Sequence, residues 1–180
     1  MTHVRVPGVR ELISEQEIRA RVQSLAARID EDYSDAGELL LLGVLRGSFI
    51  FVADLSRALC IERRVDFIAL SSYEGEEQRP GVRLIMDSRV SIEGRHVLVV
   101  EDILDTGHTL AYLLSLLAAR QPASIRSCVL VRKPTQTERV DVDYIGFEIP
   151  DAWVVGYGLD YDDRFRALPF IGTVDPDVLD

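Results

Sequence analysis

A short apolar run leads directly into two acidic residues and a turn rich in hydroxyl groups, and no other segment constrains the fold as strongly. The run is residues 97–100, the acids are Glu101 and Asp102, and the turn covers residues 105–109. An uninterrupted run of Val and Leu is typical of a strand covered on both faces, as in a parallel sheet. Open α/β sheets bind ligands at the carboxyl ends of such strands. The sequence therefore predicts that the acids and the turn lie at a ligand-binding edge, followed by an apolar helix over residues 110–120.

The turn has the features of a phosphate site. Gly107 is free to take a backbone conformation that a side chain forbids, and the hydroxyl groups of Thr106 and Thr109 can donate hydrogen bonds. The start of the following helix offers backbone N–H groups and the positive end of the helix dipole. Glu101 and Asp102 carry the wrong charge for a phosphate, but they suit sugar hydroxyls or a magnesium ion. The combination predicts a ribose-phosphate site.

Length and composition exclude several other classes of function. The chain has 180 residues without a linker, repeat or low-complexity tract, so we expect one domain. Its formal net charge of −10 argues against a nucleic-acid or anionic-lipid partner. The N-terminus lacks an apolar signal core, and the apolar residues 39–52 are interrupted by Arg46, so no membrane partner is expected. Cys60 and Cys128 lie in apolar segments, which predicts reduced core thiols and a cytoplasmic location.

Strand and helix patterns alternate along most of the chain. The first helix is predicted over residues 14–32, opened by a capping box of Ser14 and Glu17. Further strands are predicted over residues 39–44, 65–70, 83–90, 97–100 and 125–131, and further helices over residues 48–59 and 110–120. This alternation favours an α/β fold with a central, mostly parallel sheet flanked by helices.

Residues 99–109, Val-Val-Glu-Asp-Ile-Leu-Asp-Thr-Gly-His-Thr, resemble the phosphoribosyl pyrophosphate motif of the type I phosphoribosyltransferases. The Glu-Asp pair and the Asp that opens the loop are similar to the purine salvage branch, the hypoxanthine-guanine phosphoribosyltransferases. The resemblance extends from about Leu39 to Ile171. It implies a single phosphoribosyltransferase domain over residues 1–180, with a small hood over the base site formed by N-terminal residues and by residues from about 144 to 180.

The resemblance implies an activity and a role for individual residues. The enzyme would transfer 5-phosphoribosyl from phosphoribosyl pyrophosphate to hypoxanthine and/or guanine, giving IMP or GMP and pyrophosphate, with Mg²⁺ as cofactor. The implied residues for the ribose and its 5′-phosphate are Glu101, Asp102, Asp105, Thr106, Gly107, His108 and Thr109. Asp105 would also be the catalytic acid or base at purine N7, and the implied metal ligands are Glu101, Asp102 and Asp160.

Four other segments carry the remaining implied roles. Pyrophosphate would be bound by Leu45, Arg46, Gly47 and Arg166, and family members often have a cis peptide between the first two of these. The purine would be bound by Lys133, Trp153, Val154 and Asp160. A mobile loop over about residues 71–82, with Ser71, Ser72 and Tyr73, would close over the reacting centre as a lid.

Without the resemblance, each of these segments has a simpler interpretation. Residues 45–48 alone indicate an ordinary helix N-terminus, and Trp153 alone a core aromatic. Lys133 alone would be a surface lysine, although it is the only lysine among 20 Lys and Arg residues. Agreement with the family along the whole chain favours the functional interpretation in each case.

Two rival functions have the same sheet and phosphate loop. One is a regulatory protein that binds RNA or DNA and uses phosphoribosyl pyrophosphate as an effector, which the negative charge and the presence of Asp105 disfavour. The other is a sibling enzyme that uses xanthine or uracil, and Lys133 favours 6-oxopurines over pyrimidines. The sequence does not rank hypoxanthine against guanine, choose between a homodimer and a homotetramer, or fix the number of magnesium ions.

Overall fold

Nine strands and three helices form the part of the chain that the computed structural model describes, which is residues 6–74, 80–134 and 140–175. In chain order they are β1 (Val9–Ile13), α1 (Glu15–Asp32), β2 (Leu39–Leu45), α2 (Phe49–Ala58), β3 (Arg63–Glu74), β4 (Pro80–Met86), β5 (His96–Leu104), α3 (His108–Ala118), β6 (Ser124–Arg132), β7 (Tyr144–Glu148), β8 (Val154–Val155) and β9 (Ile171–Val174).

Six of the strands form the main sheet in the order β4-β3-β2-β5-β6-β7, and every pair is parallel except β3 with β4. Alternate side chains of the central strands enter two separate cores. Leu39, Leu41, Leu98 and Val100 pack with α1 and α2, whereas Leu40, Leu42, Val97 and Val99 pack with α3. The sheet is thus covered by helices on both faces, which explains the continuous apolar runs of its central strands β2 and β5. The mostly parallel sheet flanked by helices is confirmed.

The first helix begins as the sequence predicts. Ser14 is its N-cap, and Oγ of Ser14 accepts a hydrogen bond of 3.3 Å from N of Glu17. The N–H of Ser14 in turn donates to Oε2 of Glu17 at 2.8 Å. The capping box satisfies two backbone donors that a helix N-terminus would otherwise leave without a partner. It fixes the start of α1, so that Ile18, Val22, Leu25, Ala26 and Ile29 are buried.

A second, three-stranded sheet has the order β1-β9-β8, with antiparallel pairing throughout. We call β1 together with residues 153–174 the hood. Its own small core contains Val155, Leu168, Phe170 and Val174. The hood was expected to begin near residue 144, and this is wrong, because Tyr144–Glu148 forms the edge strand β7 of the main sheet. Tyr144 is fully buried, and a Cβ on Gly146 would lie 2.3 Å from the carbonyl oxygen of Leu130, so β7 packs closely against β6.

The hairpin of β3 and β4 differs from the predicted loop. Ser71, Ser72 and Tyr73 belong to β3, where Ser72 pairs with Val82 and Tyr73 with Gly81. Backbone pairing with β4 therefore outweighs their polar sequence context. Residues 75–79, in the middle of the predicted lid, lie outside the described part of the chain.

Two further observations concern the cysteines and the helices. Cys128 is buried as predicted, but Cys60 is exposed, so the expectation of two core thiols is wrong for Cys60. The backbone N–H of Cys60 donates to the Asp30 carboxylate at 3.0 Å, just beyond the end of α2. This anchor holds the backbone and leaves the thiol at the surface. None of the described helices is both long enough and apolar enough to cross a bilayer.

We expect Ser14→Ala to lower the free energy of unfolding by about 1 kcal/mol, because it removes the side-chain acceptor of the N-cap. Urea denaturation followed by circular dichroism measures this change. Ser24→Ala is the matched control, since Ser24 is exposed in the middle of α1 and alanine is favoured there by about 0.5 kcal/mol. Equal destabilisation by both substitutions would contradict a capping role for Ser14.

Candidate active site

The two acids of the motif lie in β5, which continues through them to Leu104 instead of ending before them. Glu101 is only 6% exposed, and its Oε2 has no hydrogen-bond partner among the described residues. Burial raises the pKa of Glu101 to about 8, and the neighbouring Asp102 adds to the rise. Burial also raises the pKa of Asp102 to about 6; backbone hydrogen bonds at Asp102 and Ile103, and then Arg166, oppose the rise, and Asp160 adds to it. The ionised form of the acid pair therefore lacks stabilising partners. A bound cation or hydroxyl hydrogen-bond donors could stabilise it.

The loop between β2 and α2 lies against this acid pair. Its Leu45–Arg46 peptide bond is cis. A Cβ on Gly47 would lie 1.6 Å from Oδ2 of Asp102, so only glycine allows this approach. A Cβ on Gly158 would in turn lie 1.9 Å from the carbonyl oxygen of Gly47. The predicted pyrophosphate loop thus touches the acid pair on one side and the hood on the other.

The predicted phosphate loop connects β5 to α3. Gly107 is the N-cap of α3 with φ of 91°, a value that favours glycine. The helix begins at His108, two residues earlier than predicted, and its N–H at Ala111 donates to the carbonyl oxygen of Gly107 at 3.0 Å. The first turn of α3 therefore points its N-terminal end at the loop of Asp105 and Thr106, as an anion site requires.

Lys133 follows β6 and is only 9% exposed, so the interpretation as a surface lysine is wrong. Its backbone N–H donates to the carbonyl oxygen of Leu104 at 2.9 Å. Its Nζ lies 3.3 Å from Oδ2 of Asp105 and 3.6 Å from Oδ1 of Asp151. The structure thus brings two predicted site residues together beside the phosphate loop. Sequence reasoning missed Asp151, although its place just before Trp153 in the same segment was a usable signal.

Trp153 is 60% exposed, so it is not a core aromatic. Its ring meets Tyr161 edge to face, with ring centroids 6.1 Å apart and planes at 86°. Val154, the next residue, is buried in β8. The edge contact with Tyr161, which sequence reasoning did not select, restricts the indole ring and leaves it available for stacking against a planar ligand.

Four charged side chains form a chain of ion pairs between the loop and the hood. Arg46 pairs with Asp163 at 3.0 Å, and Asp163 pairs with Arg166 at 2.8 Å. Arg166 also pairs with Asp160 at 2.8 Å and donates to the carbonyl oxygen of Gly158 at 2.8 Å. Both arginines that the sequence assigned to pyrophosphate therefore meet at Asp163, which sequence reasoning missed.

The chain matches proteins of one family along nearly its whole length. The phosphoribosyl transferase domain matches residues 8–162. The hypoxanthine-guanine phosphoribosyltransferase of Mycobacterium avium is 46% identical over 93% of this chain and 86% of its own. The hypoxanthine phosphoribosyltransferase of Escherichia coli K12 is 46% identical over 92% of this chain and 95% of its own. The solved hypoxanthine phosphoribosyl transferase of Trypanosoma cruzi has a TM-score of 0.91 at 43% identity, covering 97% of this chain and 95% of that one. The chain belongs to the phosphoribosyl transferase domain family, and the resemblance and fold class inferred from the sequence are confirmed.

Enzymes of this family generally depend on Mg²⁺, and the acid pair fits such an ion in part. The buried Oε2 of Glu101, without a hydrogen-bond partner among the described residues, is an oxygen that a hard cation could use. The described residues contain no group of three or more carboxylates or other ligands arranged to hold a metal ion. Asp160 is engaged by Arg166 and by the backbone N–H of Asp163, so Glu101, Asp102 and Asp160 do not form a three-ligand centre. Magnesium usually retains water and substrate oxygens as ligands, so two carboxylates are sufficient.

The raised pKa of Glu101 predicts that stability falls as pH rises. Between an ordinary pKa of about 4.3 and the raised value of about 8, the unfolded chain releases the proton that the folded protein keeps. The free energy of unfolding therefore decreases across this window, by at most about 1.4 kcal/mol per pH unit for this one group.

Urea denaturation as a function of pH without magnesium measures this slope. We expect Glu101→Gln to reduce it, because glutamine has no proton to lose. Glu93→Gln makes the same chemical change at an exposed position and leaves the slope as it is. Equal slopes in the protein and its Glu101→Gln variant would show that Glu101 ionises normally.

Proposed function

We propose that the protein transfers the 5-phosphoribosyl group of phosphoribosyl pyrophosphate to N9 of a 6-oxopurine, hypoxanthine and/or guanine, and releases pyrophosphate. The observation that carries this proposal is the buried Lys133 paired with Asp105 beside the phosphate loop. Burying an ammonium group costs free energy unless polar groups pair with it. The Lys133 ammonium is therefore suited to recognising a polar group on a base. The family and the two bacterial relatives support the same reaction.

The donor's ribose 5-phosphate is assigned to the β5–α3 loop. Backbone N–H groups of Thr106, Gly107, His108 and Thr109 and the threonine hydroxyls hold the 5′-phosphate at the N-terminus of α3. Glu101 and Asp102 accept hydrogen bonds from the ribose 2′ and 3′ hydroxyls, and these two carboxylates would hold Mg²⁺ when it is bound. When bound there, Mg²⁺ supplies positive charge that offsets the charge of the departing pyrophosphate.

The base is assigned to the region between the end of β6 and the hood. Trp153 stacks on the purine, the backbone of Val154 meets the purine edge, and Lys133 donates to the oxygen at C6. Asp105 exchanges a proton with N7 as N9 attacks the ribose, and its ion pair with Lys133 keeps the carboxylate oriented. Asp160 is also assigned to the base site, and it pairs with Arg166.

Pyrophosphate is assigned to the loop of Leu45, Arg46 and Gly47 together with Arg166. Guanidinium groups bind phosphate oxygens through two parallel N–H bonds, so two arginines from different segments can hold the leaving group as charge develops on it. The approach of Gly47 to Asp102 puts this loop next to the proposed ribose site. Proximity of this kind favours a direct displacement at the ribose carbon.

The hairpin that carries Ser71, Ser72 and Tyr73 is proposed as a lid. The ribosyl centre develops oxocarbenium character that water could capture, and a lid would limit this loss by excluding solvent. The hairpin includes β4, the outermost strand of the main sheet, which supports this role.

We also propose a single domain that acts in the cytoplasm as a homodimer or homotetramer. Phe49 and Ile85 are 42% and 60% exposed, and apolar side chains of this size suit a subunit contact. The Trypanosoma cruzi relative has been studied for the effect of its C-terminal region on its oligomeric state. Xanthine phosphoribosyl transfer remains the second candidate, because xanthine also carries the oxygen at C6 that Lys133 would recognise.

A spectrophotometric assay with phosphoribosyl pyrophosphate, Mg²⁺ and one base at a time tests the proposal. We expect turnover with hypoxanthine or guanine and none with adenine, because the amine at C6 of adenine would meet the Lys133 ammonium donor to donor. Xanthine as the preferred base would select the second candidate. No turnover with any base, together with binding of RNA or DNA, would favour the regulatory alternative.

Lys133→Met tests the recognition step directly, since methionine keeps the length of the stem and removes the charge. Loss of a charged hydrogen bond should lower kcat/KM for the 6-oxopurine by about ten- to a hundredfold, with a much smaller change in KM for phosphoribosyl pyrophosphate. Arg89→Met, at an exposed position away from the site, is the control. Unchanged kinetics toward both bases would remove Lys133 from base recognition.

We expect Asp105→Asn to lower kcat by about a hundredfold or more, because asparagine cannot exchange a proton with N7. Donor binding should change much less, and steady-state kinetics separates the two effects. Asp141→Asn makes the same change at an exposed residue and should keep the kcat of the unmodified protein. An equal kcat in the two variants would argue against acid–base catalysis by Asp105.

A further inference from the structure

One carboxylate oxygen of Asp163 lies between two guanidinium groups from distant parts of the chain. Its Oδ1 is 3.0 Å from Nη2 of Arg46 and 2.8 Å from Nη2 of Arg166. Its Oδ2 accepts a further hydrogen bond from Arg46 at 3.2 Å. The two arginines therefore converge on a single anionic oxygen atom.

The three side chains differ in how firmly they are held. Arg166 is 20% exposed and is also fixed by Asp160 and by the carbonyl oxygen of Gly158. The Asp163 and Arg46 side chains are 58% and 69% exposed, so the carboxylate can turn into water without a burial cost. The guanidinium groups of Arg166 and Arg46 lower the pKa of Asp163, and Arg166 has the larger effect. The carboxylate is therefore charged at neutral pH.

An anionic oxygen held by two guanidinium groups is also the arrangement that a phosphate oxygen requires. We propose that Asp163 is an internal competitor for the diphosphate, which occupies Arg46 and Arg166 until phosphoribosyl pyrophosphate or pyrophosphate displaces it. The proposal rests on the function proposed above, which assigns both arginines to the diphosphate. Asp163 then weakens diphosphate binding and favours release of the pyrophosphate product.

The local backbone suits this role. Asp162 and Asp163 have φ of 52° and 58°, in the left-handed region, and the N–H of Asp163 donates to Oδ2 of Asp160 at 2.8 Å. The turn is thus fixed by its backbone, whereas the Asp163 carboxylate is held by its arginine partners. Side-chain displacement can therefore occur without unfolding the turn.

A purely structural role of Asp163 predicts the opposite change in diphosphate affinity. If Asp163 served to hold the exposed Arg46 in place for the diphosphate, its loss would free a long side chain and weaken diphosphate binding. Competition predicts tighter binding when the charge of Asp163 is removed. The sign of the change in affinity therefore decides between the two roles.

Asp163→Asn and Asp162→Asn form a matched pair of variants. Both remove one negative charge, both positions have positive φ that asparagine tolerates well, and Asp162 makes no ion pair with Arg46 or Arg166. Titration calorimetry with inorganic pyrophosphate and Mg²⁺ should give a dissociation constant about three- to tenfold lower for Asp163→Asn than for Asp162→Asn, the size of one or two exposed ion pairs.

Steady-state kinetics extends the test to the substrate. KM for phosphoribosyl pyrophosphate should fall in Asp163→Asn, and KM for hypoxanthine should keep its value. An equal or higher dissociation constant for pyrophosphate in Asp163→Asn than in Asp162→Asn would overturn the proposal. Absence of activity in the unmodified protein would instead overturn the proposed function, whereas pyrophosphate affinity is measured without any base.

Discussion

The approach of Gly47 to the Asp102 carboxylate is the contact on which the site depends. Parallel pairing of β2 with β5 places the ends of these strands side by side, so the loop after β2 must pass the acids of β5. A Cβ at position 47 would overlap Oδ2 of Asp102, and one at position 158 would overlap the carbonyl oxygen of Gly47. Two glycines thus allow segments that lie far apart in the sequence to meet at one edge of the sheet.

Ion pairs between side chains of distant segments lie at this edge of the sheet. Most of the charges there are paired: Lys133 with Asp105 and Asp151, and Arg166 with Asp160 and Asp163. A ligand that binds there exchanges one set of ion pairs for another, which costs less reorganisation than creating charge contacts in water. Glu101 is different, because burial leaves its Oε2 without a hydrogen-bond partner among the described residues and raises its pKa. The free energy that this group costs the fold is available to any ligand that supplies positive charge or donors.

Sequence reasoning succeeded where local pattern and local chemistry agree. The capping box of α1, the covered strands and the glycine before α3 all follow from residues that are close together in the chain. It failed where partners are distant: nothing near Tyr144 shows that β7 pairs with β6. The pairing of β3 with β4 was predicted, but nothing near Ser71 shows that the two strands continue into the predicted loop. The same limit explains the missed Asp163, whose partner Arg46 is 117 residues away. Trp153 is exposed and Lys133 is buried, which is the reverse of what an isolated tryptophan or lysine predicts. Only the family resemblance favoured a binding role for these two residues over a core aromatic and a surface lysine.

The overall charge and the local charge of this protein act in opposite directions on a polyanionic donor. A formal net charge of −10 repels phosphoribosyl pyrophosphate at long range. The groups proposed to bind it, Arg46, Arg166 and the N-terminus of α3, carry the opposite charge. Salt screens the long-range term over a Debye length of about 8 Å at physiological ionic strength, and it affects partly buried contacts much less. Moderate salt therefore weakens the repulsion before it weakens the binding contacts. An acidic protein can in this way bind an anionic substrate through a few paired cations, and the excess of acids elsewhere limits adventitious binding of larger polyanions such as nucleic acids.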